Sequence, residues 1–106
     1  MKPNSRKGRR FAVQLPTVFG EGAEKDEGTV LNLSAQGCAM TAEQLPTAPA
    51  SLSLHVDLLN GTEPVAVELA TVRWVSGYRC GLEFIRMSPE MTARLRAFVA
   101  LLEQTP

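Results

Sequence analysis

The chain has 106 residues, 44% of them hydrophobic and 21% charged, with no net charge at neutral pH; this is the composition of one globular domain that buries a modest core without staples. No apolar run approaches the roughly 18 residues of a membrane span, no apolar stretch follows the basic start as a leader would, and Cys38 and Cys80 lack a C-x-x-C spacing, so a cytoplasmic domain without a disulfide framework is expected. The neutral total hides an asymmetry: residues 1–10 carry Lys2, Arg6, Lys7, Arg9 and Arg10 and no acid, while the remainder sets six bases against all eleven acids.

In chain order, residues 1–10 hold Pro3, Gly8 and five bases and offer almost nothing to bury, which predicts a flexible basic arm ahead of a domain over residues 11–104. Phe11, Val13, Leu15 and Val18 predict a first strand, with Pro16 marking an edge or bulge position. Residues 20–28 read as a polar, acidic loop. Residues 29–33 and 38–41 read as two strands joined by a turn from Ser34 to Gly37. After the Pro/Ala-rich connector 45–50, Leu52, Leu54, Val56 and Leu58 alternate with Ser51, Ser53, His55 and Asp57, the clearest half-buried strand in the chain. Asn60-Gly61 predicts a two-residue hairpin turn, because type I′ turns need positive φ at both central positions. A return strand then runs to about Val75, Ser76-Gly77 predicts a second tight turn, and Tyr78 to Ile85 comes back. Ser88, Pro89 and Glu90 form a helix start, and Met91, Leu95, Phe98, Val99 and Leu102 fall on one stripe. Short strands, tight turns and one closing amphipathic helix indicate a mainly β fold, a small antiparallel barrel with the helix on its surface or across one opening.

Enzymatic chemistry finds little support. His55 sits on the polar face of its strand without a partner at metal or catalytic spacing. Asp57 and Glu68 are able to face each other across the hairpin but stand among no other site-like residues. Gly20-Glu-Gly22 does not lead into the helix start that a phosphate cradle requires. No enzyme, metal site or cofactor is expected. Trp74 reads first as core or barrel-mouth packing, with a ligand-stacking role as the alternative, Arg73 and Arg79 read as surface charges, and the two cysteines as small buried hydrophobes.

Two short motifs carry the chemistry. Arg6 to Arg10 is an R-x-x-x-R pattern, followed by Phe11-Ala-Val-Gln-Leu-Pro16; Asn32-x-Ser34-x-x-Gly37 supplies short, oriented polar groups and a glycine at a bend. Guanidinium forks suit phosphates and guanine edges or faces, so the pair suggests a pocket for an anionic nucleotide. With Val72-Arg-Trp-Val and Tyr78-Arg-Cys-Gly-Leu-Glu-Phe84, these motifs make residues 6–103 resemble a PilZ domain, whose members bind the bacterial second messenger cyclic di-GMP. The resemblance implies a six-stranded antiparallel barrel with a C-terminal helix. It also implies that the arginine arm folds over a cyclic di-GMP ligand, with Arg6 and Arg10 on guanine and phosphate, Asn32 and Ser34 on a guanine edge, and Gly37 allowing close backbone approach. Ser5, Lys7 and Arg9 are candidate secondary contacts. Ser5 stands where many members that hold two stacked ligands have a third arginine, so one or two bound molecules stay open. The output expected is a changed contact with a downstream protein. The alternative is a PilZ-like interaction module that binds no nucleotide. Nucleic acid is not the expected partner, because the aromatics of a stacking platform are few.

Overall fold

The computed structural model describes residues 9–21, 24–46 and 50–104. Within them lie six strands, β1 (Phe11–Gly20), β2 (Asp26–Leu33), β3 (Gly37–Thr41), β4 (Ala50–Val56), β5 (Val65–Ser76) and β6 (Arg79–Arg86), and one helix, α1 (Pro89–Glu103). The strands close into an antiparallel barrel in the order β1-β2-β3-β6-β5-β4, with β1 pairing both β2 and β4. Closure removes every sheet edge, which is how a fold this small keeps its ladder groups paired.

Inward-facing positions fill the barrel. Phe19, Val30, Leu33, Met40, Leu54, Val67 and Leu82 are among the fully buried side chains, and both cysteines are free thiols in the same core. Thr17 also points inward, and its hydroxyl donates to the His55 carbonyl at 2.8 Å, so the buried oxygen is satisfied. Pro16 lies within β1 yet costs the sheet no bond. The ladder to β4 starts one residue later, at Thr17, and the Pro16 carbonyl accepts from the Asp57 N–H at 2.9 Å.

The β4–β5 hairpin corrects the tight turn expected at Asn60-Gly61. The register, Val56↔Val65 and His55↔Ala66, is the one a two-residue turn at 60–61 would set, but the ladder stops at Val56 and residues 57–64 form a wider loop. Three local features hold it open. Leu58 turns into the core, Pro64 lacks an N–H, and Arg94 of α1 donates to the Thr62 hydroxyl at 2.8 Å and to the Glu63 carbonyl. Asp57 accepts from the Leu59 N–H instead of facing Glu68, which pairs with Arg86. The second turn falls one residue later than expected. Ser76 pairs with Arg79, so Gly77 and Tyr78 form the loop, with Gly77 at φ +62° in the first central position, the pattern of a type II′ turn.

Helix α1 is capped by Ser88, whose side chain accepts from the Met91 N–H, with Pro89 opening the first turn and Glu90 beside it. Leu95 and Val99 are buried against the barrel, and the helix packs on β5 and β1. The Met91 thioether receives the Ala66 N–H at 3.3 Å, fixing the helix start over the first residues of β5. Among the described residues no helix is long and apolar enough to cross a membrane.

Candidate functional site

The link between β2 and β3 is built by one hydroxyl. Ser34 Oγ accepts from the N–H groups of Gln36 and Gly37, both at 3.1 Å, and donates to the Gly37 carbonyl at 3.3 Å, while the Ser34 N–H donates to that carbonyl at 2.9 Å. The side chain is buried and its donor and both acceptor sites are engaged. Gly37 answers to the neighbouring strand: a Cβ there would stand 2.3 Å from the Leu82 carbonyl oxygen and 3.3 Å from Arg10 Nη2. No side chain fits between β3 and β6 at this point.

Asn32 owes its direction to a β-bulge. Val30 and Leu33 both point inward although three residues apart, and the register slips between Val30 and Asn32, so Leu31 is the extra residue and Asn32 faces out. Its Oδ1 accepts from the Ala39 N–H at 3.0 Å and from Arg10 Nη1 at 3.1 Å. Both partners are donors, which fixes the amide orientation. Arg10 is thereby held beside the Ser34–Gly37 turn, 22 positions away in sequence.

A second bulge does the same for Trp74. Strict alternation from buried Val72 would send the indole inward, but the register slips between Val72 and Trp74, and Arg73 takes the extra position. Trp74 is therefore 44% exposed and lies on the outer face over Gly81, where an added Cβ would meet the indole Nε1 at 2.1 Å. This overturns the core placement, one of the packing positions expected for Trp74. The sequence signal was present in Gly81, a glycine inside a strand, which marks close approach by another group.

The pairings Asn32↔Ala39, Ala39↔Gly81 and Gly81↔Trp74 form one row across four strands. The small residues in the middle, Ala39 and Gly81, are buried beneath a trough whose walls are Arg10 on the Asn32 side and the indole, which lies over Gly81. At about 4.8 Å per strand the Cα atoms of Asn32 and Trp74 stand roughly 14 Å apart. A cavity of about 250 Å³ opens between Arg10 and the indole, lined by Arg10, Ser34, Gln36, Arg73, Trp74 and Glu83 among others; Asn32 stands behind Arg10, outside this lining. Arg73 is paired with Glu83, its Nε donating to Oε1 at 2.6 Å. Beneath the site, burial pushes the Cys38 thiol up to about 12, an effect the Arg10 guanidinium partly offsets.

Four of the residues singled out in the sequence, Arg10, Asn32, Ser34 and Gly37, thus come together. Arg9 goes elsewhere, its guanidinium standing 4.9 Å from the centre of the Phe11 ring. Ser5, Arg6 and Lys7 lie outside the described residues, as does the rest of segment 1–8. Among the described residues no cluster of His, Cys, Asp and Glu is able to hold a metal ion.

A closed six-stranded barrel with a C-terminal helix and an arginine–asparagine pair at the mouth of an outer-face trough defines a small binding module. Residues 4–101 match the PilZ domain family, and the chain belongs to it. PilZ domains are regulatory binding modules, a family of cyclic di-GMP receptors some of whose members bind no nucleotide. The fold is similar to the PilZ domain of CeSA from a cellulose-synthesizing bacterium, at 17% identity and a TM-score of 0.70, over 92% of this chain and 100% of that one. It is also similar to the Bacillus subtilis inhibitor of motility (MotI/DgrA), at 20% identity and a TM-score of 0.73, over 91% of this chain and 50% of that one. The chain therefore spans half the length of MotI/DgrA. No curated protein matches it.

Proposed function

We propose that this PilZ domain binds cyclic di-GMP at the Arg10–Asn32–Trp74 trough and signals by drawing its N-terminal segment onto the barrel. The observation that carries the reading is the Arg10–Asn32 bond beside an exposed indole. A guanidinium fork donates to the O6 and N7 acceptors of a guanine edge or to phosphate, and an indole face stacks on the purine. Stacking of that kind is worth ~1–3 kcal/mol per base.

In this reading Asn32 orients Arg10 and presents its amide to the guanine edge, while Ser34 and Gly37 hold the turn and the β3–β6 approach that place both. Arg6, Ser5 and Lys7 would join from the segment ahead of Arg9. Fixing some five residues of that segment costs ~1–2 kcal/mol each, which offsets much of the contact energy and makes the affinity moderate and salt-sensitive. A ligand-held segment presents a new surface to a downstream protein, which is the output we infer; the similarity to an inhibitor of motility is consistent with a regulatory role.

Calorimetric titration with cyclic di-GMP tests the proposal. Heat that saturates, with affinity falling at least about tenfold in Arg10→Ala and an unchanged melting temperature, is expected from a charge-assisted contact worth ~1.5–3 kcal/mol. Absence of heat from the unmutated chain would overturn it and favour the interaction module without nucleotide. The same titration gives the stoichiometry, one ligand or a stacked pair.

A further inference from the structure

The cavity beside Arg10 contains a second arginine that is already paired. Arg73 occupies the bulge that turns Trp74 outward, and both line the cavity; Glu83, also in the lining, holds Arg73 through a single carboxylate oxygen that receives Nε and Nη2. Both side chains are about half exposed. Ion pairs at that exposure are weakly held, and a phosphate accepts a guanidinium fork at least as well as a carboxylate does.

Arg10, Arg73 and Glu83 leave the described lining with one net positive charge, whereas the ligand argued above carries two phosphates. We propose that Glu83 keeps Arg73 in reserve. On binding, a ligand phosphate takes the place of the Glu83 carboxylate, so Arg73 becomes the barrel's own phosphate contact and Glu83 sets the affinity by competing for it. This rests on the cyclic di-GMP reading and adds the residue pair that would tune it.

The barrel supplies an internal control. Glu68 and Arg86 form a second exposed pair on the same two strands, with Arg86 Nε 3.2 Å from Glu68 Oε1, and neither residue lines the cavity. Calorimetry on the full chain with cyclic di-GMP separates the two pairs. Glu83→Gln is expected to tighten binding by roughly threefold to tenfold, the effect of removing one charge a few ångströms from a phosphate at high effective dielectric. Arg73→Ala should weaken binding, Glu68→Gln should leave it unchanged, and Glu83→Gln should lose most of its gain when combined with Arg73→Ala. In the unmutated chain, the Arg73 Nε–Hε resonance should shift on ligand addition while that of Arg86 stays in place. Unchanged or weaker binding by a folded Glu83→Gln, or an unmoved Arg73 resonance at saturation, would overturn this proposal while leaving the receptor reading intact. A flat titration with the unmutated chain would overturn both.

Discussion

Asn32 and Ser34 stand two residues apart in one motif, yet their polar atoms do different work. The Asn32 oxygen reaches outward to Arg10 as well as to the Ala39 N–H, whereas the Ser34 hydroxyl is engaged entirely within its own turn. Ser34→Ala therefore leaves two turn N–H groups without their acceptor, one of them in buried Gly37. We expect it to lower unfolding stability by about 1–2 kcal/mol and to weaken ligand binding through the displaced turn. Arg10→Ala should weaken binding without that loss. Denaturant unfolding and calorimetry on the same two variants check the distinction: a Ser34→Ala chain as stable as the parent would mean that its hydroxyl serves something other than the turn. Both motif residues were legible in the sequence as turn chemistry. The division of labour between them was not, because it depends on which N–H groups the bulge at Leu31 brings within reach.

Strand placement followed from alternation for β4, whereas β2 reaches back to Asp26, into the polar stretch read as a loop. Leu52, Leu54 and Val56 of β4, the Ser88 cap and the Leu95/Val99 face of α1 all appear where their periods put them, and Leu58 is buried as its period expects although the strand ends before it. Bulges are what pattern reading lacked. One extra residue at Arg73 moves Trp74 from the core face to the outer face, where it lines the cavity beside Arg10. The Asn60-Gly61 hairpin failed for a different reason. Its register survived while its last pairs were exchanged for Leu58 burial and the Arg94 contacts, tertiary gains that a turn propensity does not contain. The opened loop leaves Leu59, 63% exposed, at φ +58°, a left-handed conformation that a leucine adopts at a cost and an asparagine tolerates. Leu59→Asn should raise stability by about 0.5–1 kcal/mol, read as a higher denaturant midpoint at unchanged slope. A lower midpoint would mean that the exposed side chain makes a contact the loop needs.

At the scale of the whole barrel, the two buried thiols couple stability to alkaline pH. Both lie in the core, and burial pushes their ionisation up from an ordinary value near 9, to about 12 for Cys38 and about 11 for Cys80. Above pH 9 the unfolded chain releases these protons while the folded chain keeps them. The folded state then binds more protons, and stability falls as pH rises, by about 1.4 kcal/mol per pH unit for each thiol until the folded groups ionise in turn. Below pH 9 both states hold the protons and the contribution is constant. Between pH 8 and pH 10 the chain should therefore lose ~2–3 kcal/mol more than a Cys38→Ala/Cys80→Ala variant, whose lower absolute stability does not enter a comparison of slopes. Denaturant unfolding at each pH supplies the measurement, and parallel slopes for the two chains would show that the thiols ionise in the folded barrel as readily as in the unfolded chain. The same argument bears on the site. Cys38 follows Gly37 directly, beneath the Arg10 guanidinium that partly counters its upward shift. Arg10→Ala removes that opposing charge and should steepen the alkaline loss only near the upper end of the window, where the folded Cys38 begins to ionise.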